Sequence, residues 1–294
     1  MRTLLSKAGD YARAANEMGP RLFLAKAMRK AGLSTPALRR VEVLADRRQM
    51  QPGRLATIYA QYETSAIRDF GWKPIDFADK RVLEIGCGSL GGMAPLALVE
   101  GAASYAGIDP AFDASVFGHT RLQQAFLPET LAETARLRGK PNTPSVVDLQ
   151  ARCSFLKTPL ERLEGTEPAD IVASISCLEH IWQLESALAA LKLLTHKDTR
   201  HFHIVNFGNH RNRKRPFDGL YQMAPDKYEA AYGRSINLWR LPDMAKAFSA
   251  ADIDVDCRPY DIRPDAVPTD VDDWWTKRYD PEVLGIRTGL ITNT

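Results

Sequence analysis

An apolar run that ends in an acid and passes directly into a glycine turn constrains this chain more than any other feature. Residues 81–92 have the sequence RVLEIGCGSLGG, in which Glu84 closes the apolar run. A second apolar run follows over 105–108 and ends in Asp109. A strand, a glycine turn and a second strand that ends in an acid are typical of a parallel sheet that binds a nucleotide-like cofactor on its first crossover. The identity of that cofactor therefore decides the function.

The bulk composition excludes several classes of protein. The 294 residues suffice for a full hydrophobic core, and their 45% hydrophobic and 26% charged shares are ordinary for a globular chain. The net charge of +3 is too small to indicate nucleic-acid binding. The four cysteines lie far apart without a C-x-x-C pair, which favours reduced thiols over disulfides or a zinc site. No apolar run is long enough to span a membrane and no secretory signal stands out, so we expect a cytoplasmic protein.

Strand-like and helix-like segments alternate from residue 75 onwards. This alternation predicts an α/β fold with a doubly wound, seven-stranded and mostly parallel sheet. Strands are expected at 82–85, 105–108, within 146–155, and at 171–175, 201–206, 255–260 and 284–292. Helices are expected at 91–100, 123–138, 184–194 and 242–251. We therefore divide the chain into a helical N-terminal extension or lid over 1–74 and a main domain over 75–294, with an insert at 207–240 after the fifth strand.

The N-terminal extension is basic over residues 1–48, with many Arg, Lys and Ala residues. Such a segment is typical of an amphipathic helix that binds a membrane or an anionic partner. However, Asp10, Glu17, Glu42 and Asp46 interrupt the basic face, which favours a helical lid or a dimerisation arm. The second interpretation allows a homo-oligomer.

The glycine turn itself fits more than one cofactor. Gly86, Gly88 and Gly91 satisfy the dinucleotide pattern G-x-G-x-x-G, whereas the absence of a following Gly-Lys-Ser/Thr excludes a P-loop. Glu84 stands two residues before the first glycine, where a dinucleotide fold usually keeps the strand apolar. The wide helix opening over 91–95 also suits a pyrophosphate poorly. Both details argue against NAD.

Three segments together resemble the class I S-adenosylmethionine-dependent methyltransferases. They are LEIGCGSLGG at 83–92, YAGID at 105–109 and DIVASISCLEHI at 170–181, the last of which is similar to the family's "vLEHv" segment. Three motifs in the right order are more specific than any one of them. The resemblance covers residues 79–207 well and the two ends poorly. It implies a Rossmann-like methyltransferase fold with S-adenosyl-L-methionine as the cofactor.

The resemblance also implies roles for single residues. Glu84 would hold the amino-acid end of the cofactor, and Asp109 would accept hydrogen bonds from its ribose hydroxyls. Gly86, Cys87 and Gly88 would form the turn beneath the cofactor, since a glycine lets the backbone approach where a Cβ would collide. The remaining cofactor contacts would come from Pro110, Phe155, Leu156 and Ser176. Ordinary core packing accounts for Phe155 and Leu156 equally well.

Two histidines follow strands at the carboxyl edge of the predicted sheet, where ligands of such sheets bind. His180 follows the fourth strand and His210 follows the fifth. A hydroxyl acceptor must lose its proton as the methyl group arrives, and histidine titrates near neutral pH. His210 and His180 are therefore the candidate catalytic bases, although His180 suits a packing or helix-capping role equally well.

A metal ion is not expected, but one ligand set deserves mention. Some members of the resembled family hold a divalent metal with Glu-x-x-Glu-His and a later histidine. Here Ser176 replaces the first acid, which leaves Glu179, His180 and His210. These side chains could hold Mg²⁺ or Zn²⁺ only if water or substrate completed the coordination shell.

The insert combines aromatic and basic residues and admits three interpretations. The residues are Tyr221, Tyr228, Tyr232 and Trp239 with Arg211, Arg213, Lys214 and Arg215. They could form a pocket for an acidic small molecule or glycan, a surface that stacks on RNA bases, or a solvated loop on an aromatic-packed lid.

We expect methylation of an oxygen of a small molecule or sugar, with nitrogen and sulfur still open as acceptors. The alternatives are an NAD-dependent oxidoreductase and a non-catalytic methyltransferase-like binding module. The intact Glu84, Gly86, Gly88 and Asp109 argue against the non-catalytic module.

Overall fold

The computed structural model describes residues 19–33, 35–163, 167–210, 212 and 214–293. Asp10 and Glu17 of the basic extension lie outside this part of the chain, as do Arg211 and Arg213 of the insert. Among the described residues, no helix combines the length and the apolar character that crossing a bilayer requires. The four cysteines are free thiols, as predicted.

A seven-stranded sheet forms the centre of the chain. Its strands are Arg81–Ile85 (β1), Ser104–Ile108 (β2), Cys153–Leu156 (β3), Ala169–Ile175 (β4), Thr195–Asn206 (β5), Asp256–Ile262 (β6) and Ile286–Thr292 (β7). Their order across the sheet is β3-β2-β1-β4-β5-β7-β6. Strands β1 to β5 pair in parallel, and β7 is antiparallel to both of its neighbours. The predicted doubly wound, mostly parallel α/β fold is confirmed.

Helices cover both faces of this sheet. In chain order they are Pro20–Lys30 (α1), Pro36–Ala45 (α2), Arg54–Phe70 (α3), Ala94–Val99 (α4), Ala114–Phe117 (α5), Leu127–Leu137 (α6), Val146–Arg152 (α7), Leu184–Leu193 (α8), Pro225–Tyr232 (α9), Leu241–Ala250 (α10), Asp273–Thr276 (α11) and Pro281–Leu284 (α12). Short 3₁₀ turns lie at Leu160–Arg162, Leu178–His180 and Pro264–Ala266, and a π-helical turn lies at Leu122–Phe126.

Two predicted elements differ from the structure for local reasons. The segment 146–155 is helical up to Arg152, because Ser145 caps the helix and Asp148 completes a capping box with it. Helix α4 begins at Ala94 rather than at residue 91. Gly91 and Gly92 have φ angles of 88° and 50°, which lie in the left-handed region and cannot continue a right-handed helix.

The strand order places a crevice at the carboxyl edge of the sheet. Chain order runs from β1 outwards to β2 and β3, and then returns to β4 on the other side of β1. The connections after β1 and β4 therefore leave the sheet towards opposite faces. Ligands of open α/β sheets bind at such a switch point.

Helix α3 shares its core with the sheet, although it belongs to the predicted N-terminal extension. The ring of Tyr59 is fully buried, and its centroid lies 5.8 Å from that of Phe77 and 5.1 Å from that of Phe202 on β5. Glu63 on the same helix pairs with Arg138, which follows α6, at 2.7 Å. These contacts hold the first turn of α3 close to the glycine turn.

The insert folds into a lobe together with the segment that follows β6. Its buried apolar residues are Phe217, Leu220, Tyr221, Tyr228, Ile236, Leu238, Trp275, Tyr279 and Leu284. Arg240 is buried at its centre and donates hydrogen bonds to the carbonyl of Phe207 at 2.7 Å and to the hydroxyl of Tyr221 at 3.1 Å. Its guanidinium also lies 5.4 Å from the ring centroids of Tyr221 and Trp275, within cation–π range.

Candidate active site

Glu84, the residue before the last of β1, is a buried carboxylate that is only 2% exposed. Its Oε2 accepts hydrogen bonds from the backbone amide of Met93, at 2.6 Å, and from the hydroxyl of Tyr105. Burial raises the pKa of Glu84 to about 7, against the opposing effect of these two hydrogen bonds. A Cβ at Gly92 would lie 2.2 Å from Oε2, so the close approach of the turn to the acid requires a glycine there.

Gly86 and Gly88 of the turn are glycines for different physical reasons. Gly86 has a φ of 83°, and a Cβ there would lie 2.4 Å from Sγ of Cys177. Gly88 has a φ of 61°, but a Cβ there would meet no atom within 4 Å. Gly86 is therefore needed for packing against Cys177 within the protein. Only Gly88 faces open space, as expected for a backbone that a cofactor approaches.

Asp109 connects the end of β2 to the glycine turn. Its Oδ2 accepts a hydrogen bond from the amide of Gly88 at 2.9 Å, and its Oδ1 accepts one from the amide of Ala111 at 2.7 Å. The two contacts fix the carboxylate beside the turn, where it is partly exposed. Pro110, the next residue, is exposed at the same edge.

A cavity of about 250 Å³ lies between the glycine turn and the helices α3 and α6. The predicted residues Glu84, Gly86, Cys87 and Gly88 line it. Polar residues from other elements also line it, and none of them was predicted from the sequence: Gln49, Gln51, Arg54, Thr130 and Thr134. These five carry no short motif and lie far from the glycine turn in the sequence, so only the tertiary structure reveals them.

The other predicted cofactor residues lie outside the lining of this cavity. The ring of Phe155 stacks on Phe112, with centroids 5.5 Å apart, and lies 4.5 Å from Phe117. Leu156 packs against the apolar cluster on the other side of the sheet. Ser176 is exposed just beyond β4 with a left-handed φ of 52°. Their cofactor contacts stay predictions.

His180 and His210 come together at the carboxyl edge, with ring centroids 4.9 Å apart. Nδ1 of His180 lies 2.6 Å from the carbonyl oxygen of Ser235. A carbonyl can only accept, so Nδ1 carries the proton, and Nε2 of the neutral ring is left as a base. His210 has a left-handed φ of 57°. Burial lowers the pKa of His210, and the neighbouring His180 lowers it further.

Glu179 lies beneath the two histidines as a buried acid, 2% exposed. Among the described residues neither of its carboxylate oxygens has a hydrogen-bond partner, and Oε1 lies 3.6 Å from Nε2 of His210. Burial raises the pKa of Glu179 to about 8, against the opposing effect of the backbone amides of Glu179 and Asn206, which lie near the carboxylate without a well-formed hydrogen bond to it. One ligand atom from each of Glu179, His180 and His210 lies within 4.8 Å of the others, so the residues of the expected ligand set do converge.

Asn237 of the insert joins the loop after β4 to the lobe. Its side-chain amide donates to the carbonyls of Leu178 and Ile181, both at 2.9 Å, and its backbone amide donates to the carbonyl of Glu179 at 2.7 Å. The Asn237 side chain is buried. The insert thus fixes the backbone that carries both Glu179 and His180.

The aromatic residues of the insert mostly pack inside the lobe. Tyr221 and Tyr228 are buried there, which argues against the interpretation in which they line a pocket. Tyr232 is 42% exposed, and Trp239 lines a second cavity together with Trp182 and Trp274. Of the described cations, Arg215 pairs with Asp218 at 2.8 Å. These observations favour the aromatic-packed lobe over a basic aromatic surface for RNA.

Residues 56–257, more than half of the chain, match the family model of a methyltransferase domain. The chain belongs to this methyltransferase family. The methyltransferase uses S-adenosylmethionine as its cofactor. The matched residues include most of α3 as well as β1 to β5.

Several solved structures resemble the methyltransferase. An S-adenosylmethionine-dependent methyltransferase from Mesorhizobium loti is 15% identical, with a TM-score of 0.44 over 78% of this chain and 95% of that chain. An O-methyltransferase family protein from Burkholderia thailandensis is 14% identical, with a TM-score of 0.47 over 97% of this chain and 70% of that chain. No curated protein sequence matches the methyltransferase.

The glycine turn and its surroundings fit the established cofactor in three respects. The open space at Gly88 admits a molecule against the backbone. Glu84 supplies a buried acid, which suits the ammonium group and the sulfonium charge of S-adenosylmethionine. Asp109 stands partly exposed at the end of β2, where acids of nucleotide-binding sheets accept hydrogen bonds from ribose.

Proposed function

We propose that this methyltransferase methylates a hydroxyl oxygen of a small molecule or sugar, with His180 and His210 on the acceptor side of the cofactor. The observation that carries the proposal is the fixed tautomer of His180. Its Nδ1–H is bound to the carbonyl of Ser235 at 2.6 Å, which leaves Nε2 free to take a proton. An oxygen acceptor needs such a base, because a neutral hydroxyl is a weak nucleophile.

The cofactor supplies an activated methyl group when it is bound. The protein residues supply position and proton transfer. Glu84, Gly86, Cys87, Gly88 and Asp109 would hold the cofactor beside the turn. The outer contacts would come from Pro110, Phe155, Leu156 and Ser176.

Proton removal is the task of the histidine pair. His180 would take the proton of the acceptor hydroxyl on Nε2 as the oxygen–carbon bond forms. The Ser235 carbonyl stabilises the resulting imidazolium, because it accepts a shorter and stronger hydrogen bond from a charged donor. Burial lowers the pKa of His210 and so favours the neutral form of this second ring, which opposes protonation of His180 less than a charged ring would.

Replacement of each histidine by glutamine tests the proposal. In His180→Gln the amide can still donate to the Ser235 carbonyl, but the basic nitrogen is lost. We expect turnover to fall by about 10²–10⁴-fold with unchanged affinity for S-adenosylmethionine, measured by calorimetry. The acceptor panel should contain phenols and sugars beside amines and thiols of similar shape, with transfer of a labelled methyl group as the readout.

The outcomes separate the possible functions. Methyl transfer to amines or thiols alone, with no effect of His180→Gln, would refute oxygen as the acceptor. Binding of S-adenosylmethionine without transfer to any member of the panel would favour the non-catalytic binding module. Loss of cofactor affinity in His180→Gln would move that residue from the acceptor side into the cofactor site.

The carboxylate of Glu179, which accepts no hydrogen bond from the described residues, favours a second candidate, in which Glu179, His180 and His210 hold a divalent cation that binds the acceptor oxygen. A buried acid without a hydrogen bond is costly, and a bound cation offsets that cost. Titration of the protein with Mg²⁺ and with Zn²⁺ should then give one site that Glu179→Gln abolishes. Equal binding by the wild type and by Glu179→Gln would refute the cation at this place.

A further inference from the structure

We propose that Arg54, on the first turn of α3, binds the carboxylate at the amino-acid end of S-adenosylmethionine. The proposal rests on the placement of the cofactor in the cavity beside the glycine turn. It gives the helical N-terminal extension a direct part in cofactor binding.

The surroundings of Arg54 carry the first step. Arg54 is half-buried and lines the cavity. Within the described part of the chain, its guanidinium has neither a hydrogen-bond nor an ion-pair partner. Burial, with a smaller effect of Arg48, lowers the pKa of Arg54 against the opposing charge of Asp46, which acts on it without a direct contact, and a guanidinium stays charged at neutral pH. A partly desolvated cation of this kind is stabilised when an anion binds to it.

The distribution of charge in the cavity gives the second step. Among the described residues that line it, Arg54 and Glu84 are the two that carry charge. The Glu84 carboxylate is bound to the amide of Met93 and the hydroxyl of Tyr105, so it does not neutralise Arg54. The cavity therefore presents one cation and one acid that are not paired with each other. The amino-acid end of the cofactor has the complementary pair, a carboxylate for Arg54 and an ammonium for Glu84.

Two further groups in the cavity favour an anion at this place. Thr130 is only 9% exposed, and its buried hydroxyl has no hydrogen-bond partner among the described residues. This hydroxyl is a donor without an acceptor in the protein. The first turn of α3 contains no acid, and its residues Leu55 and Ala56 also line the cavity. The positive end of a long helix dipole adds to the attraction of a carboxylate.

A pair of ligands that differ only in the carboxylate tests the proposal. Calorimetry would measure the affinity of the protein for S-adenosylmethionine and for decarboxylated S-adenosylmethionine. We expect Arg54→Gln to weaken S-adenosylmethionine at least about tenfold and to leave the decarboxylated ligand within about twofold, as expected for the loss of a hydrogen bond between charged groups. Arg54→Lys should restore part of the affinity, since it keeps the charge and loses the planar fork.

Arg48→Gln is the matched control. It removes the same charge from the same segment, but Arg48 is exposed and does not line the cavity. We expect it to change the affinity for neither ligand by more than about twofold, since exposed charges are well screened. The affinity of Arg54→Gln for the decarboxylated ligand also shows that the variant is folded.

The other outcomes refute the proposal in distinguishable ways. Equal weakening of both ligands in Arg54→Gln would mean that Arg54 shapes the cavity without binding the carboxylate. Equal binding of both ligands by the wild-type protein would show that no cation binds the carboxylate. The placement of the cofactor in the cavity would then still hold. Wild-type protein that binds neither ligand would overturn the placement of the cofactor and the role of Arg54 together.

Discussion

The raised pKa of Glu84 predicts that the affinity for S-adenosylmethionine falls in mild acid. The cofactor is positively charged at its sulfur and its ammonium, so it should bind the ionised form of this buried acid. Burial raises the pKa of Glu84 to about 7, so protonation competes with the cofactor just below neutral pH. A raised carboxyl pKa puts the neutral form in excess below about 7, and affinity is therefore lost as the pH falls through that value.

The magnitude follows from the pKa. If only the ionised form binds, the apparent Kd is multiplied by one plus ten to the power of the pKa minus the pH. With a pKa of about 7, this factor is about 11 at pH 6 and about 1.3 at pH 7.5. The expected loss is thus about eightfold, or about 1.2 kcal/mol. At pH 7 about half a proton should be released for each cofactor bound.

Calorimetry at pH 6 and pH 7.5, repeated in buffers of different ionisation enthalpy, measures both quantities. Glu84→Gln is the control, because its amide does not titrate and the titration of the cofactor's own ammonium affects both proteins equally. The ratio of the two Kd values should be about eightfold larger for the wild type than for the variant. A pH dependence that Glu84→Gln retains in full would refute the role of this carboxylate.

Three further predictions concern stability and local structure. Burial lowers the pKa of His201 to about 4, whereas the same histidine in the unfolded chain has a pKa of about 6.5. Acidification from pH 7 to pH 5 should therefore destabilise the wild type relative to His201→Gln by about 2 kcal/mol, measured by urea unfolding. Gly86→Ala should lower the Tm more than Gly88→Ala does, because only at Gly86 would the new Cβ meet Cys177, while Gly88→Ala should weaken cofactor binding in calorimetry. Asn237→Ala should speed hydrogen exchange in residues 178–182, since two carbonyls there lose their donor.

The sequence was sufficient for the sheet because each strand carries its own local signal. The apolar runs before Glu84 and Asp109 marked β1 and β2, and the structure has them side by side, with Ile85 paired to Ile108. The start of the third strand could not be predicted, because a helix runs directly into it. Ser145 and Asp148 form a capping box that the sequence contained and that the strand interpretation overlooked.

Only part of the candidate site could be predicted from the sequence, for a physical reason. His180 and His210 follow neighbouring parallel strands, so their meeting at one edge follows from topology alone. Arg54 and Thr130 reach the cavity from helices whose packing depends on tertiary contacts, and no spacing rule connects them to the glycine turn. The aromatic residues of the insert posed the opposite problem, because composition does not distinguish a pocket wall from the core of a lobe.

The hydrogen bonds of Asn237 have a consequence for protein engineering. The loop that carries Glu179 takes its shape from a residue 58 positions later in the chain (237 − 179). An exchange of the insert for that of another methyltransferase would therefore exchange the support of the loop as well. A transplanted insert would need an asparagine at the position of Asn237 and, two residues before it, a carbonyl that can accept from His180 as that of Ser235 does. Without them the histidine pair would lose its alignment. The lobe and the loop after β4 thus form one transferable unit, and acceptor preference should travel with both.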